Sequence, residues 1–362
     1  MLILGTYCFN HNDNFIQNDA DITVNITVAD GPLVVQNDFV FLKQWESTII
    51  KIDISDINNP SSPTNVTDGE LRTGDYVVYE NKLFVSTPEN MLVYDVTNPG
   101  SIGDPIYNWS NPDFGNIITS ADYFAIVNDI AYMTENRILY IFDFSDLSNL
   151  TYLNSSNLDI CSNDFTYNNG YLYFPLEQEN PIDESSCYYF GLVDVSNPSV
   201  LNPMITLEND SISGSCDVEV KGNYAYLTVN DFDNHRCFLT VVDVSNKTQP
   251  EKVTSVELGA DYVHHITINE NTIYIGLDDE GLAVIDISDP DNPSEPIYNR
   301  FNRFPCDVRY VLVHNDYLLF TYNPGLGIIA LSEASKSNLA TIFYPLIIIT
   351  GLIFPVVIKR KR

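Results

Sequence analysis

From Ala20 to Ser332 the chain alternates short apolar runs, rich in Val, Ile, Tyr and Phe, with polar turns. Such runs, bounded by Asn, Asp, Gly, Ser and Pro, predict strands. Helical spacing with caps is almost absent before residue 338. Two phrases recur in a fixed order. The first is a hairpin phrase, "NDFVFL", "NKLFVS", "NDIAYM", "NGYLYF", "GNYAYL", "ENTIYI" and "NDYLLF". The second is an apolar run closing on aspartate, at Asp53, Asp95, Asp143, Asp194, Asp243 and Asp286, at intervals of 42, 48, 51, 49 and 43 residues. A worn seventh copy, "LGIIALSEASK", puts Ala330 at the aspartate position.

Each unit reads as four strands. "CDVEVK" (Cys216–Lys221) turns at Gly222 and Asn223 into "YAYLTV"; a variable loop, "FLTVVDV", a proline-bounded turn and "EKVTSVEL" follow. A period in the forties with four strands per unit predicts an all-β seven-bladed β-propeller over residues 20–332. The last unit has strands near Arg309–Val313, Tyr317–Thr321 and Gly327–Leu331 but no fourth. The spare run "ADITVNITVAD" (Ala20–Asp30) supplies it and closes the ring, removing an exposed sheet edge. The repeated aspartate stands two residues before Ser or Thr in all six copies, where a short acceptor bonds the backbone N–H groups of the next turn. "GLAVIDISDPDNP", "GLVDVSNP" and "GNYAYL" resemble the LVIVD repeat, a propeller module of bacterial and archaeal surface proteins. The resemblance covers residues 20–332 and implies the fold; it does not imply an activity.

The pattern changes at the end of the chain. A short linker, 333–338, leads into residues 339–358, twenty without a charge, long enough to cross a hydrocarbon core as a transmembrane helix. "KRKR" (Lys359–Arg362) follows and is expected to stay cytoplasmic. This predicts a single-pass plasma-membrane protein with its propeller extracellular. A cytosolic, tail-anchored propeller is the competing arrangement. Residues 1–19 are expected to be a poorly ordered segment, with "MLILGTY" too short for a signal-peptide core.

Composition fits that placement. With 49 acidic and 17 basic residues the net charge is −32. Such a surface repels nucleic acid and anionic lipid and favours cations. Sequons at Asn25, Asn65, Asn108, Asn149, Asn154, Asn209 and Asn246 are glycosylation candidates in an exported chain. Six cysteines suit an oxidising compartment. Cys161 with Cys187, and Cys216 with Cys237, are expected to pair between first and third strands of one blade; Cys8 and Cys306 remain near the seventh. No CxxC spacing suggests structural zinc.

Candidate chemistry gathers on the face that carries the long loops. Counting back from each hairpin places Asp75, Asp164, Asp217 and His265 at one level of the ring. "NDFDNHRC" contributes Asp231, Asp233, His235 and Arg236, and the start of the last inner strand adds Asp307 and Arg309. Three functions compete. One is a binding or adhesion module meeting a protein or glycan partner of the cell envelope. Another is a hydrolase or lyase using His264 or His265 with a carboxylate. The third is a structural spacer. No HExxH, GxSxG or glycine-rich phosphate loop occurs. No cofactor is expected apart from calcium, for which the acidic turns have the composition but not the DxDxDG spacing. His264 and His265 are strand neighbours and point to opposite faces, so at most one meets the channel.

Overall fold

The computed structural model describes residues 22–25, 32–44, 48–67, 75–87, 90–114, 121–158, 161–162, 164–179, 186–209, 215–231, 234–278, 280–299, 307–322 and 325–331. They form seven antiparallel sheets arranged as successive blades. The inner strands are Val34–Gln36, Tyr76–Tyr79, Tyr123–Val127, Thr166–Asn168 (preceded by the short Cys161–Ser162), Ser215–Lys221, Val263–Asn269 and Val308–His314. The seventh blade closes as the repeat count requires. Ile22–Asn25 pairs antiparallel with Gly325–Ala330, Ile22 opposite Ile328 and Asn25 opposite Gly325.

Burial explains why the units form a ring. The third strands are buried along most of their length, because neighbouring blades cover both of their faces. One hydrophobic cluster fills each blade interface. The closing contact sets Leu319, Leu326 and Ile328 of blade seven against Val40, Leu42, Ile50 and Ile52 of blade one. A free blade would leave both faces wet, so the array is stable only when stacked.

Both recurrent phrases have a local cause. The hairpin phrase supplies the left-handed residues of two-residue turns: Asn128 and Asp129 at φ 50 and 63, Asn169 and Gly170 at φ 48 and 82. The aspartate phrase caps the corner beside that hairpin. Asp53, Asp95, Asp143, Asp194, Asp243 and Asp286 each accept the backbone N–H two residues on, at 2.7–3.0 Å. The residue after each aspartate also donates its N–H to the carbonyl of the preceding hairpin, as from Ile54 to Asp38 and from Ile287 to Asn271. Leu331 makes the same bond to Asp316 at 2.9 Å, so the worn copy keeps the corner without its aspartate.

The expected cysteine pairings do not fit this register. Cys216 and Cys237 are not joined in a disulfide: Cys216 Sγ accepts from Asn230 Nδ2 at 2.9 Å, and Cys237 Sγ donates to Ala260 O at 3.2 Å. They lie on the first and third strands of blade five, with Tyr224–Asp231 between them and Asn230 facing Cys237. Two strand spacings put the two backbones roughly 10 Å apart, beyond the ~7 Å that a disulfide spans. Cys161 opposite Glu177 and Cys187 opposite Gln178 flank the middle strand of blade four in the same way. Cys8 and Cys306 lie outside the described residues, as do residues 1–19, 333–338, 339–358 and the basic tail. Among the described residues no helix is long and apolar enough to cross a membrane.

Candidate functional site

The register divides the two faces of the disc. One face holds the tight hairpins between first and second strands and the aspartate corners. The other holds the second-to-third loops and the start of every inner strand. On this loop face two hairpins are extended: Tyr171–Glu179 with Ser186–Asp194, and Tyr224–Asp231 with Arg236–Asp243.

Four positions back from the end of each inner strand stand Pro32, Asp75, Tyr123, Asp164, Asp217, His265 and Tyr310, one from each blade. The four ring residues expected from the sequence are therefore level with one another. The same counting identifies Tyr123 and Tyr310, which sequence reasoning missed by attending only to charged types. His265 Nε2 lies 3.5 Å from Asp217 Oδ2, and its ring centroid is 4.9 Å from that of Tyr310. His265 Nδ1 is buried with no hydrogen-bond partner among the described residues.

Two ring carboxylates also tie blades together. Asp75 accepts N–H bonds from Tyr76 at 2.8 Å and from Phe124 of the next blade at 2.9 Å. Asp217 repeats the arrangement with Val218 at 2.7 Å and Ile266 at 2.9 Å. Asp164 accepts from Phe165 at 2.6 Å. Packing so many acids together disfavours their ionisation. Burial raises the Asp75 carboxyl to about 7, against the pull of its two N–H donors. Burial and then the Asp217 charge raise Glu219, two residues on along the same strand face, to about 8. Burial first, then Asp217 and Asp75, push Asp164 up. Burial with the charges of Asp164 and Asp75 likewise raises the Tyr123 and Tyr310 phenols. Interaction among groups of blades two, three, four and seven places them around one axial channel.

A second group lies on the loop face between blades six and seven. The inner strand of blade six bulges between Val263 and Ile266, and that of blade seven between Val308 and Tyr310. The first bulge lets consecutive histidines serve different places. His265 faces the ring; His264 Nε2 faces Asp278 Oδ1 at 3.2 Å and Asp307 Oδ1 at 2.9 Å. Arg309 holds Asp307 Oδ2 with Nε and Nη2, both at 2.8 Å. Burial works against the imidazolium, but hydrogen bonding to Asp307 and Asp278 outweighs it and raises His264 above its ordinary value. The carboxyls are driven apart. Burial and Asp307 raise Asp278, whereas at Asp307 the pull of His264 and Arg309 overcomes burial and lowers the carboxyl. Asp278 was not singled out by the sequence; its place in the second-to-third loop of blade six was the available signal.

The blade-five turn is organised differently. Asp231 is buried and accepts from Asn234 and from Arg236 Nη2 at 3.0 Å. Arg236 also lies over the Phe238 ring, 5.2 Å from its centroid. His235 is exposed at φ 51, and Asp233 lies outside the described residues. Asn230 beside them is fully buried: Val263 N–H donates to Oδ1 at 2.8 Å, and Nδ2 donates to Val263 O at 3.3 Å. Of the sequons, Asn65, Asn108, Asn149 and Asn246 are exposed. Asn154 instead donates Nδ2 to Ser199 O of the next blade at 3.2 Å. The side chains of Asn25 and Asn209 lie outside the described residues.

Residues 188–207, 214–257 and 260–298 match the LVIVD repeat. None of the curated proteins matches the sequence. In fold the chain is similar to the Pan2 WD40 domain of Neurospora crassa, with TM-score 0.59 and 7% identity over 89% of this chain and 98% of that one. It is also similar to YCF48 bound to D1 peptide, with TM-score 0.59 and 11% identity over 86% and 97%. BamB from Moraxella catarrhalis gives TM-score 0.52 and 10% identity over 87% and 84%. Likeness at such identities is a likeness of fold.

Proposed function

The chain is a β-propeller built of LVIVD repeats, and on that premise we propose that it is a binding module whose loop face holds a protein or glycan partner at the cell envelope. One observation carries this reading: the two faces are chemically unlike. The corner face repeats one self-satisfied turn six times. The loop face bears the unrepeated side chains, two extended hairpins and the channel mouth. Recognition is usually carried by irregular loops on a rigid scaffold. The resemblance to a propeller bound to a peptide supports a protein partner. Anchoring by residues 339–358, with the propeller extracellular, completes the proposal and rests on their length and lack of charge.

The test is site-directed photocrosslinking on intact cells. A crosslinker at the exposed His235 should capture a defined partner, and one at the exposed Asn292 on the corner face should not. Equal capture from both faces, or capture from Asn292 alone, would refute the assignment. Capture from neither would leave the spacer reading in its place. External protease should reach the propeller of intact cells; complete protection would refute the extracellular orientation. The hydrolase or lyase reading has one observation in its favour, the His264, Asp278 and Asp307 cluster. Turnover abolished by His264→Ala in a substrate screen would support it.

A further inference from the structure

We propose that His264, Asp278 and Asp307 form a binding site for one divalent first-row transition cation, joining blade six to blade seven on the loop face. The three donor atoms lie within 4.8 Å of one another. Nε2 of an imidazole carries at most one hydrogen, yet a carboxylate oxygen stands on each side of it. The Asp278 oxygen makes the hydrogen bond. Asp307 Oδ1, which is buried, lies 2.9 Å from the same nitrogen on its other side. A single hydrogen on Nε2 cannot lie on both N···O lines, whereas a divalent cation in its place would be ligated by the nitrogen and by both oxygens. A metal ion satisfies all three donors at once.

The separations fit such an ion. Bonds of about 2.0–2.2 Å to nitrogen and oxygen put neighbouring ligand atoms about 2.9–3.4 Å apart at octahedral or tetrahedral angles. The two measured separations, 2.9 and 3.2 Å, lie in that interval. The surroundings hold the donors in place. Arg309 takes the outer oxygen of Asp307 and turns the inner one toward His264. The Tyr262 ring lies against the His264 imidazole, with centroids 4.9 Å apart, and Tyr262 O accepts the Asp278 N–H at 3.1 Å. Ligating carboxylates are commonly fixed by such outer contacts. One imidazole and two carboxylates suit zinc or manganese; calcium prefers six to eight oxygens. Three protein ligands leave a coordination position open toward the loop face, where a carboxylate or carbonyl of a bound partner could complete it.

The test uses untagged full-length protein, stripped with chelator and titrated with Zn2+, Mn2+ and Ca2+ in parallel by calorimetry, with melting followed at each point. One equivalent of Zn2+ or Mn2+ should bind and raise the melting temperature. His264→Ala or Asp278→Asn should weaken binding by about 100-fold or more, beyond the loss typical of an outer contact; His265→Ala should not. X-ray absorption of zinc-loaded wild-type protein keeps the proposal open to refutation if a variant fails to fold. It should show nitrogen and oxygen ligands only, and a sulfur shell would put the ion on a cysteine and overturn the site. Absence of stoichiometric binding, binding of Ca2+ alone, or binding unchanged in folded His264→Ala would each overturn it as well.

Discussion

Asn230 offers the sharpest test of how the loop face is held together. It is 0% exposed, and so is Val263, the blade-six residue whose N–H and C=O it satisfies. Asn230→Ala removes the partners of the Val263 N–H and C=O and leaves both groups buried. A buried polar group left unsatisfied costs about 1–3 kcal/mol, and two such groups together cost about 2–6 kcal/mol. Total stability for a domain is about 5–15 kcal/mol. For a propeller of this size the unfolding entropy is about 0.6 kcal/mol/K, so a loss of about 4 kcal/mol lowers Tm by about 6 °C. The assay is denaturant and thermal unfolding of the full-length protein followed by circular dichroism. Val200→Ala, on an exposed turn, serves as a control within about 0.5 kcal/mol of wild type. A loss at Asn230→Ala no larger than the control would refute the reading of this amide as an interblade tie. Because Val263 adjoins His264, the variant should also weaken zinc binding.

Other consequences follow from the channel and the packing. Glu219 and Asp75 keep protons in the folded state that the unfolded chain releases near its ordinary carboxyl range. Stability should therefore fall as pH rises from about 5 to about 8. Glu219→Gln should flatten that fall, and parallel melting curves for variant and wild type would count against it. A Cβ on Gly276 would lie 2.4 Å from the Val308 carbonyl oxygen of the next blade. Gly276→Ala should cost about 1–3 kcal/mol of unfolding free energy, whereas Gly103→Ala, with nothing within 4 Å, should be nearly neutral. Alkylation of unfolded, unreduced protein should label both Cys216 and Cys237; recovery of a peptide pair joined through them would contradict the strand order.

The repeat phrases alone determined the ring of seven, its closure by the leading segment and the role of the corner aspartates. These features are local or periodic: a turn needs its left-handed residues, a corner needs a short acceptor, and a strand covered by blades on both faces is mostly apolar. Four members of the channel ring were also legible, because equal distance from a tight hairpin means equal height on the inner strand. Only the tertiary structure brought His264, Asp278 and Asp307 together, placed Asn230 against Val263, and separated the cysteines by an intervening strand. Those contacts depend on how one blade sits on the next and on single-residue bulges at the start of inner strands. A bulge shifts the register by one residue and re-aims the side chains beyond it. No spacing in the sequence records that shift, since the apolar pattern on either side is unchanged.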